Sequence, residues 1–169
     1  MNIDYHILLP QESMNYRTIR LESLEKFPES FCVSYQDALK IEKFRLESDI
    51  ENQAQDRFVM GAFADDELIG ICVFVKEENN TGSIYQMYVK EPFQGKNIGW
   101  GLIQKVIAEA YERFNKINIF LEVTDKNGKA YNLYRKIGFK DVINDAEKED
   151  NGGSTQLYLN TADYIKTEI

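Results

Sequence analysis

The segment from Val89 to Gly101, VKEPFQGKNIGWG, has the residue types of an anion-binding loop. Asn97 is among the few non-glycine residues that tolerate the left-handed backbone region, and Lys96 adds a cation. Such a loop can direct several backbone N–H groups at one anion. A following helix adds its unpaired first-turn donors and partial positive charge. The glycines that give the loop conformational freedom are Gly95, Gly99 and Gly101.

This loop differs from two common phosphate-binding motifs. It lacks the Gly-Lys-Ser or Gly-Lys-Thr ending of a P-loop and the Gly-x-Gly-x-x-Gly spacing of dinucleotide-binding folds. Glycine-rich turns between a strand and a helix are also common as purely structural features. From the loop alone, a structural role and a phosphate site both stay open.

The elements that must position the loop follow from hydrophobic periodicity. Ser83–Val89 predicts a strand that leads into the loop, and apolar residues between Leu102 and Phe114 predict the clearest amphipathic helix of the chain. The elements predicted after that helix are a strand over Ile117–Val123, a helix over Lys129–Ile137 ended by Gly138, a strand over Lys140–Ile143, a polar loop over Asn144–Ser154 and a strand over Thr155–Leu159.

The first half of the chain predicts two helices and a run of antiparallel hairpins. The predicted elements are a strand over Asn2–Leu9, a helix over Glu12–Phe27 ended by Pro28, a second helix capped by Ser34 and continuing through Arg45, and strands over Arg57–Ala64 and Leu68–Lys76. This order predicts an α/β sandwich around a mixed sheet, built as a single domain over residues 1–169.

The charge balance narrows the classes of ligand. The chain has 169 residues, a formal net charge of -8 and a sequence pI near 4.8. Nucleic acids and anionic membranes require a basic surface, so we expect neither as a partner. A phosphate-bearing ligand must therefore be held locally, by backbone amides and a few Lys or Arg side chains. The acidic balance is compatible with a cationic substrate.

Cysteine and histidine usage argues against a metal site. The chain contains Cys32, Cys72 and a single histidine, His6, without the spacing of metal ligands. Cys72 lies in the apolar run Leu68–Val75 and is expected to be a buried hydrophobic residue. Met1–Leu9 lacks the pattern of a signal peptide, and no apolar run approaches the ~20 residues of a membrane span. We therefore expect a cytoplasmic protein.

Two motifs, taken together, resemble the GNAT N-acetyltransferase superfamily. Its pyrophosphate loop, Q/R-x-x-G-x-G/A, is matched from Gln94 to Gly99, with Pro92 nearby and departures at Asn97 and at Trp100. Its downstream motif, N-x-x-A-x-x-L-Y-x-x-x-G-F, is matched without departure by Asn127, Ala130, Leu133, Tyr134, Gly138 and Phe139. The close resemblance covers about half of the chain, Leu68 to Phe139.

The resemblance implies a GNAT-like fold: a central mixed, mostly antiparallel sheet with splayed middle strands, flanked by helices. It also implies an acetyl-coenzyme A (acetyl-CoA) site, with the pyrophosphate in the loop and the pantetheine arm paired to backbone groups of Met87 and Val89. Asn127 would bind the pantetheine or help hold the loop. The cofactor-binding residues implied are Met87, Tyr88, Val89, Gln94, Gly95, Lys96, Asn97, Ile98, Gly99, Trp100, Gly101, Asn127 and Tyr134.

The resemblance also suggests catalytic residues. Tyr134 matches the family position of the acid that protonates the leaving thiolate, although an aromatic residue packed in the core is the alternative. The strand Ser83–Val89 has no carboxylate, so the base is either Glu122 on the next strand or a chain of water molecules. The residues proposed to line the acceptor pocket are Phe31, Tyr35 and Tyr85.

The predicted function is N-acetylation of a small, cationic amine by direct attack on acetyl-CoA, without a metal. Three alternatives stay open: a CoA-binding module without turnover, an interaction domain with a decayed site, and an enzyme for a different acyl-CoA. The predicted partner is a small-molecule amine, and a homodimer through an edge strand near the C-terminus also stays open.

Overall fold

The computed structural model describes residues 2–28, 33–125, 127–143 and 153–168. These residues form seven strands and six helices, each bounded as follows: β1 Ile3–Ile7, α1 Ser13–Lys26, α2 Tyr35–Leu39, α3 Arg45–Glu51, β2 Arg57–Ala64, β3 Glu67–Glu77, β4 Thr81–Val89, α4 Ile98–Phe114, β5 Asn118–Thr124, α5 Gly128–Ile137, β6 Lys140–Asp141, β7 Ser154–Asn160 and α6 Thr161–Glu168. Phe31, Cys32 and most of the polar loop predicted over Asn144–Ser154 lie outside the described residues.

The strands form one sheet in the order β1-β2-β3-β4-β5-β7-β6. β1 pairs with β2, β2 with β3, β5 with β7 and β6 with β7, all antiparallel. β4 pairs in parallel with β5 over three residues, from Thr81 opposite Asn118 to Ser83 opposite Phe120. The mixed, mostly antiparallel sheet predicted from the sequence is therefore confirmed.

The second predicted helix is wrong in its extent, because the structure divides it into α2 and α3. The Ser34 cap is confirmed, since its Oγ accepts a hydrogen bond from the Asp37 N–H at 3.1 Å. After α2, the Arg17 guanidinium donates to the Ile41 carbonyl at 2.6 Å and occupies an acceptor that a continuing helix would use. The Glu47 carboxylate then accepts from the Phe44 N–H at 2.6 Å, and a new helix begins.

The helix α6 has no counterpart in the sequence prediction. Its first residue, Thr161, is fully buried, and the Thr161 hydroxyl donates to the Asn115 carbonyl at 2.8 Å. The same oxygen accepts from the Ile117 N–H at 3.0 Å. The Asn160 side chain accepts from the Ala162 N–H at 3.1 Å. Two of these three contacts join Thr161 to residues 44 and 46 positions earlier, which explains why the polar local sequence did not predict this helix.

The residues divide into two compact units. The first consists of Met1–Val75 and Tyr85–Val106. Its hydrophobic core joins Leu8, just after β1, and side chains of α1 and α3 to those of β2, β3 and β4. These residues are Leu8, Tyr16, Ile19, Ile50, Val59, Phe63, Leu68, Ile71, Val73 and Tyr88. Cys72 is fully buried in this unit, as predicted, and burial raises the pKa of its thiol.

The second unit consists of Lys76–Ile84 and Ile107–Ile169. β5 and β7 pair over seven residues, from Asn118 opposite Asn160 to Thr124 opposite Ser154. The buried hydrophobic residues of β5, β7 and α5, together with Phe139 just after α5, are Ile119, Leu121, Val123, Tyr134, Ile137, Phe139, Leu157 and Leu159. The single domain expected from chain length stays a prediction.

None of the helices within the described ranges is both long and apolar enough to cross a membrane.

Candidate functional site

The predicted phosphate loop lies where the strand β4 ends and the helix α4 begins. A short 3₁₀ turn over Glu91–Phe93 follows β4, and residues 94–97, here called the anion loop, lead into Ile98 at the start of α4. The Lys90 N–H donates to the Ile69 carbonyl at 2.8 Å and fixes the entry to the turn on the neighbouring strand β3. The strand-loop-helix arrangement predicted from the sequence is confirmed.

Two residues of the anion loop take left-handed backbone conformations. Gly95 has φ +77° and Asn97 has φ +64°. A Cβ atom at Gly95 would meet nothing within 4 Å, so glycine is needed there for conformation and not for space. Asn97 is the departure from the loop motif that the sequence resembles, and asparagine tolerates the conformation it takes here.

The first turn of α4 supplies the donors that an anion would bind. The Gly101 N–H donates to the Asn97 carbonyl at 3.1 Å. The three residues of α4 before Gly101, which are Ile98, Gly99 and Trp100, also carry backbone N–H groups. Across the described ranges, these three groups have no protein acceptor. Lys96 is exposed, with Nζ 6.0 Å from the centre of the Phe93 ring. Backbone donors, the positive end of a helix and one cation suit a pyrophosphate.

The side chain of Gln94 connects the anion loop to the end of β4. Its Nε2 donates to the Val89 carbonyl at 2.8 Å. Met87 and Val89 are half-buried, whereas Tyr88 is 5% exposed and its hydroxyl donates to Glu22 Oε2 on α1 at 2.7 Å. Burial, and then this hydrogen bond, raise the pKa of Tyr88. The Tyr88 side chain therefore packs against α1.

Gly101 has a packing partner that the sequence did not indicate. A Cβ atom built on Gly101 would overlap the hydroxyl end of Tyr5, a residue of β1. Burial raises the pKa of Tyr5. The missing side chain at Gly101 is thus required for Tyr5 to pack against the first turns of α4.

Gly101→Ala is expected to lower the free energy of unfolding by about 1–3 kcal/mol, because the added methyl group overpacks against Tyr5. The expected loss is net of the roughly 1 kcal/mol by which alanine favours a helix over glycine. Urea denaturation measures the free energy of unfolding of each variant. Gly128→Ala is the control for a glycine-to-alanine change without overpacking, because a Cβ atom at Gly128 meets nothing within 4 Å. Equal stability of Gly101→Ala and the unmodified protein would contradict this packing role.

In the second unit, the helix α5 carries Tyr134. This residue is 7% exposed, and its ring packs edge-on against Phe139 with the ring centres 5.8 Å apart. α5 begins after Asn127, whose Oδ1 accepts from the Ala130 N–H at 3.2 Å, and ends at Gly138 with φ +128°. The downstream motif is therefore a capped helix with Tyr134 facing inward. The observed role of the Asn127 oxygen is to cap α5.

Glu122 lies on β5, opposite Gln156 of β7. Its side chain is exposed, while its neighbours Leu121 and Val123 are buried, as the alternation of a strand requires. Among the residues that the structure describes, none forms a hydrogen bond or ion pair with Glu122 that would mark it as a base.

Of the three residues proposed for the acceptor pocket, the structure describes Tyr35 and Tyr85. Phe31 lies outside the described residues. Tyr35 begins α2 and is half-buried; its hydrogen bond with Glu25 raises its pKa. Tyr85 on β4 is 48% exposed. Where the structure describes them, Tyr35 and Tyr85 share no hydrogen bond or ring contact.

Sequence reasoning missed two tyrosine contacts that join α1 to β4. Tyr16 donates to Gln86 Oε1 at 2.6 Å, and Tyr88 donates to Glu22 at 2.7 Å. Gln86 has φ +51° inside the strand. No sequence signal identifies this conformation, because glutamine is not typical of the left-handed region.

In the described ranges, no three His, Cys, Asp or Glu side chains gather where they could hold a metal ion.

Comparison with known proteins agrees with this architecture. Residues 18–139 match the model of the acetyltransferase (GNAT) family. Because the match covers well over half of the chain, the chain belongs to the acetyltransferase (GNAT) family.

Two curated relatives are similar over shorter stretches. The N-alpha-acetyltransferase of Sulfurisphaera tokodaii is 36% identical over 61 residues, which are 36% of this chain and 36% of the relative. The spermine/spermidine N(1)-acetyltransferase of Bacillus subtilis is 24% identical over 88 residues, which are 48% of this chain and 58% of the relative. The chain thus matches about a third of the length of the first relative and somewhat over half of the second.

Solved structures are similar over nearly the whole chain. The PaiA N-acetyltransferase of Thermoplasma acidophilum in complex with coenzyme A has a TM-score of 0.73 and 22% identity, covering 94% of this chain and 98% of its own. Mutant forms of the spermidine/spermine N-acetyltransferase SpeG of Vibrio cholerae have a TM-score of 0.67 and 17% identity, covering 99% and 100%. At these identities the likeness shows the fold, and it confirms the GNAT fold predicted from the two motifs.

Proposed function

We propose that this chain transfers an acetyl group from acetyl-CoA to a primary amine of a small cationic molecule. The observation that carries the proposal is the anion loop, in which left-handed Gly95 and Asn97 lead directly into the unpaired N–H groups at the start of α4. These donors suit a pyrophosphate, because backbone N–H groups at a helix start can hold an anion locally in a chain whose net charge is -8.

The donor is proposed to bind along β4 and the anion loop. The pyrophosphate would take the first-turn N–H groups of α4 with Lys96 beside it. The pantetheine arm would pair with backbone groups of Met87 and Val89 as an added strand. Gln94 would fix the anion loop relative to the end of β4, because its side chain donates a hydrogen bond to the Val89 carbonyl.

The reacting nitrogen must be neutral when it attacks, so a protonated amine loses one proton before the attack and a second as the amide forms, while one proton reaches the sulfur. Acetyl-CoA supplies a thioester, whose carbonyl carbon accepts the amine nitrogen while the C–S bond breaks. A backbone N–H near Val89 is proposed to stabilise the negative charge on the carbonyl oxygen. Tyr134 is proposed to donate a proton to the leaving sulfur. The amine protons would leave through water or Glu122.

A cationic acceptor is favoured by the charge of the chain and by carboxylates in the first unit. The net charge is -8. Glu22 and Glu25 on α1 lie beside the tyrosine hydroxyls of Tyr88 and Tyr35. The relative from Bacillus subtilis is a spermine/spermidine acetyltransferase, and the one from Sulfurisphaera tokodaii is an N-alpha-acetyltransferase. Both named activities acetylate amines.

The test is an acceptor panel with acetyl-CoA as donor. The panel compares spermidine, spermine, a small neutral primary amine and a peptide with a free N-terminus. The release of free thiol gives the rate of transfer, and mass spectrometry identifies the acetylated product. We expect acetylated polyamine at a rate well above hydrolysis without acceptor. Preference for the peptide N-terminus would overturn the proposed acceptor class. Acetyl-CoA binding without transfer to any amine would make the chain a CoA-binding module.

A further inference from the structure

The strand β4 contains an unusual backbone conformation at Gln86, with φ +51°. The other non-glycine residues with positive φ in the described ranges lie in turns or loops: Gln53, Asp65, Asp66, Asn79, Asn80, Asn97 and Asn115. A glutamine in this region is sterically unfavourable, and it persists only where the surrounding structure fixes it.

The side chain of Gln86 is fixed by a buried donor. The Tyr16 hydroxyl on α1 donates to Gln86 Oε1 at 2.6 Å. Tyr16 is 1% exposed, and its ring packs edge-on against Phe44 with the ring centres 6.4 Å apart. Burial raises the pKa of Tyr16, so the phenol keeps its proton and remains a donor. The core therefore holds this hydroxyl at one place.

A second bond fixes the same strand two residues further on. Tyr88 donates to Glu22 Oε2 on α1 at 2.7 Å, and its ring packs edge-on against Phe27 at 5.7 Å. The helix α1 thus holds β4 on both sides of Met87. A left-handed residue in a strand interrupts the regular ladder and changes the direction of adjacent peptide groups. The peptide groups whose direction is set here are those around Met87.

We infer that Tyr16 and Gln86 are positioning residues for acetyl transfer: their hydrogen bond holds the left-handed turn in β4 and so directs the backbone groups of Met87 and Val89. The inference rests on the proposed function, in which these backbone groups bind acetyl-CoA. Neither side chain is assigned a contact with the reacting atoms.

The first variant is Tyr16→Phe, which removes the hydroxyl and keeps the ring. We expect the KM for acetyl-CoA to rise about fivefold to tenfold. This is the change expected from the loss of one buried hydrogen bond that preorganises a binding strand. Tyr158→Phe is the matched control, because it makes the same chemical change on β7 and is expected to leave both KM and kcat unchanged.

Variants at Gln86 separate a backbone role from a side-chain role. Glycine adopts positive φ without strain, whereas a β-branched residue resists it. Gln86→Gly is therefore expected to raise KM less than Tyr16→Phe does, and Gln86→Val to raise KM at least as much as Tyr16→Phe. Adding Tyr16→Phe to Gln86→Gly is expected to have no further effect, because glycine no longer needs the hydroxyl.

Three results would overturn the inference. One is unchanged KM and kcat in Tyr16→Phe, even with a lower melting temperature. Another is equal loss in Gln86→Gly and Gln86→Val, which would show that the amide itself contacts a substrate. The third is failure of the unmodified protein to bind or use acetyl-CoA, which removes the proposed function as well. The first two arise only in an active enzyme and leave the proposed function standing.

Discussion

Gly99→Glu is expected to weaken acetyl-CoA binding by about 30-fold to 1,000-fold, measured as the dissociation constant by calorimetry. Gly99 lies in the first turn of α4, beside the N–H groups proposed to bind the pyrophosphate. A carboxylate there places a negative charge at the anion's position. The same change is not expected to destabilise the fold, because an acidic residue in the first turn interacts favourably with the helix dipole.

The neutral variant Gly99→Gln is the matched control, since it adds nearly the same volume without the charge. The account predicts that it binds acetyl-CoA much more tightly than Gly99→Glu, and that the two variants unfold at similar urea concentrations. Equal affinity in both would show that size and not charge governs this site. Unchanged affinity of Gly99→Glu for acetyl-CoA would contradict the proposal that the pyrophosphate binds at the first turn of α4.

Tyr134→Phe is expected to lower kcat by about 10²-fold to 10³-fold while the affinity for acetyl-CoA stays within a few-fold, because a positioned proton donor contributes to the rate and not to ground-state binding. Steady-state kinetics with the best amine of the panel gives kcat, and calorimetry gives the affinity. The retained ring keeps its edge-on contact with Phe139.

Tyr131→Phe is the matched control on the same helix. The Tyr131 hydroxyl donates to both carboxylate oxygens of Asp141, at 3.0 and 3.1 Å, and we propose no catalytic role for it. Its loss is expected to lower stability only slightly and to change kcat by no more than about twofold. A Tyr134→Phe enzyme with the kcat of the unmodified protein would make Tyr134 a packing residue, which is the alternative interpretation of its burial.

The sequence predicted those parts of the fold and of the candidate site that depend on local patterns. The strand-like run Arg57–Ala64 has the same bounds as β2, and helical periodicity identified most of α4. The anion loop was predictable because Gly95 and Asn97 are residue types that tolerate the conformations observed there. The cap at Asn127 was predictable for a similar reason, since the asparagine oxygen and the Ala130 N–H that donates to it lie three residues apart.

The parts that the sequence could not predict depend on contacts between distant residues. The break between α2 and α3 depends on Arg17, whose guanidinium binds a carbonyl 24 positions away. The conformation of Gln86 depends on a hydroxyl 70 positions earlier. Gly101 matches the glycine-rich loop by type, yet the structure packs it against Tyr5. Single-sequence patterns contain none of these partners.

The most direct test of the account compares two donors on the unmodified protein by calorimetry. Acetyl-CoA carries the pyrophosphate, and S-acetylpantetheine has the same thioester and arm without it. The account predicts that acetyl-CoA binds once per chain and about 100-fold or more tighter than S-acetylpantetheine, because the charged hydrogen bonds of the anion loop are made only by the former. Equal affinity for the two, or no binding of acetyl-CoA, would contradict it.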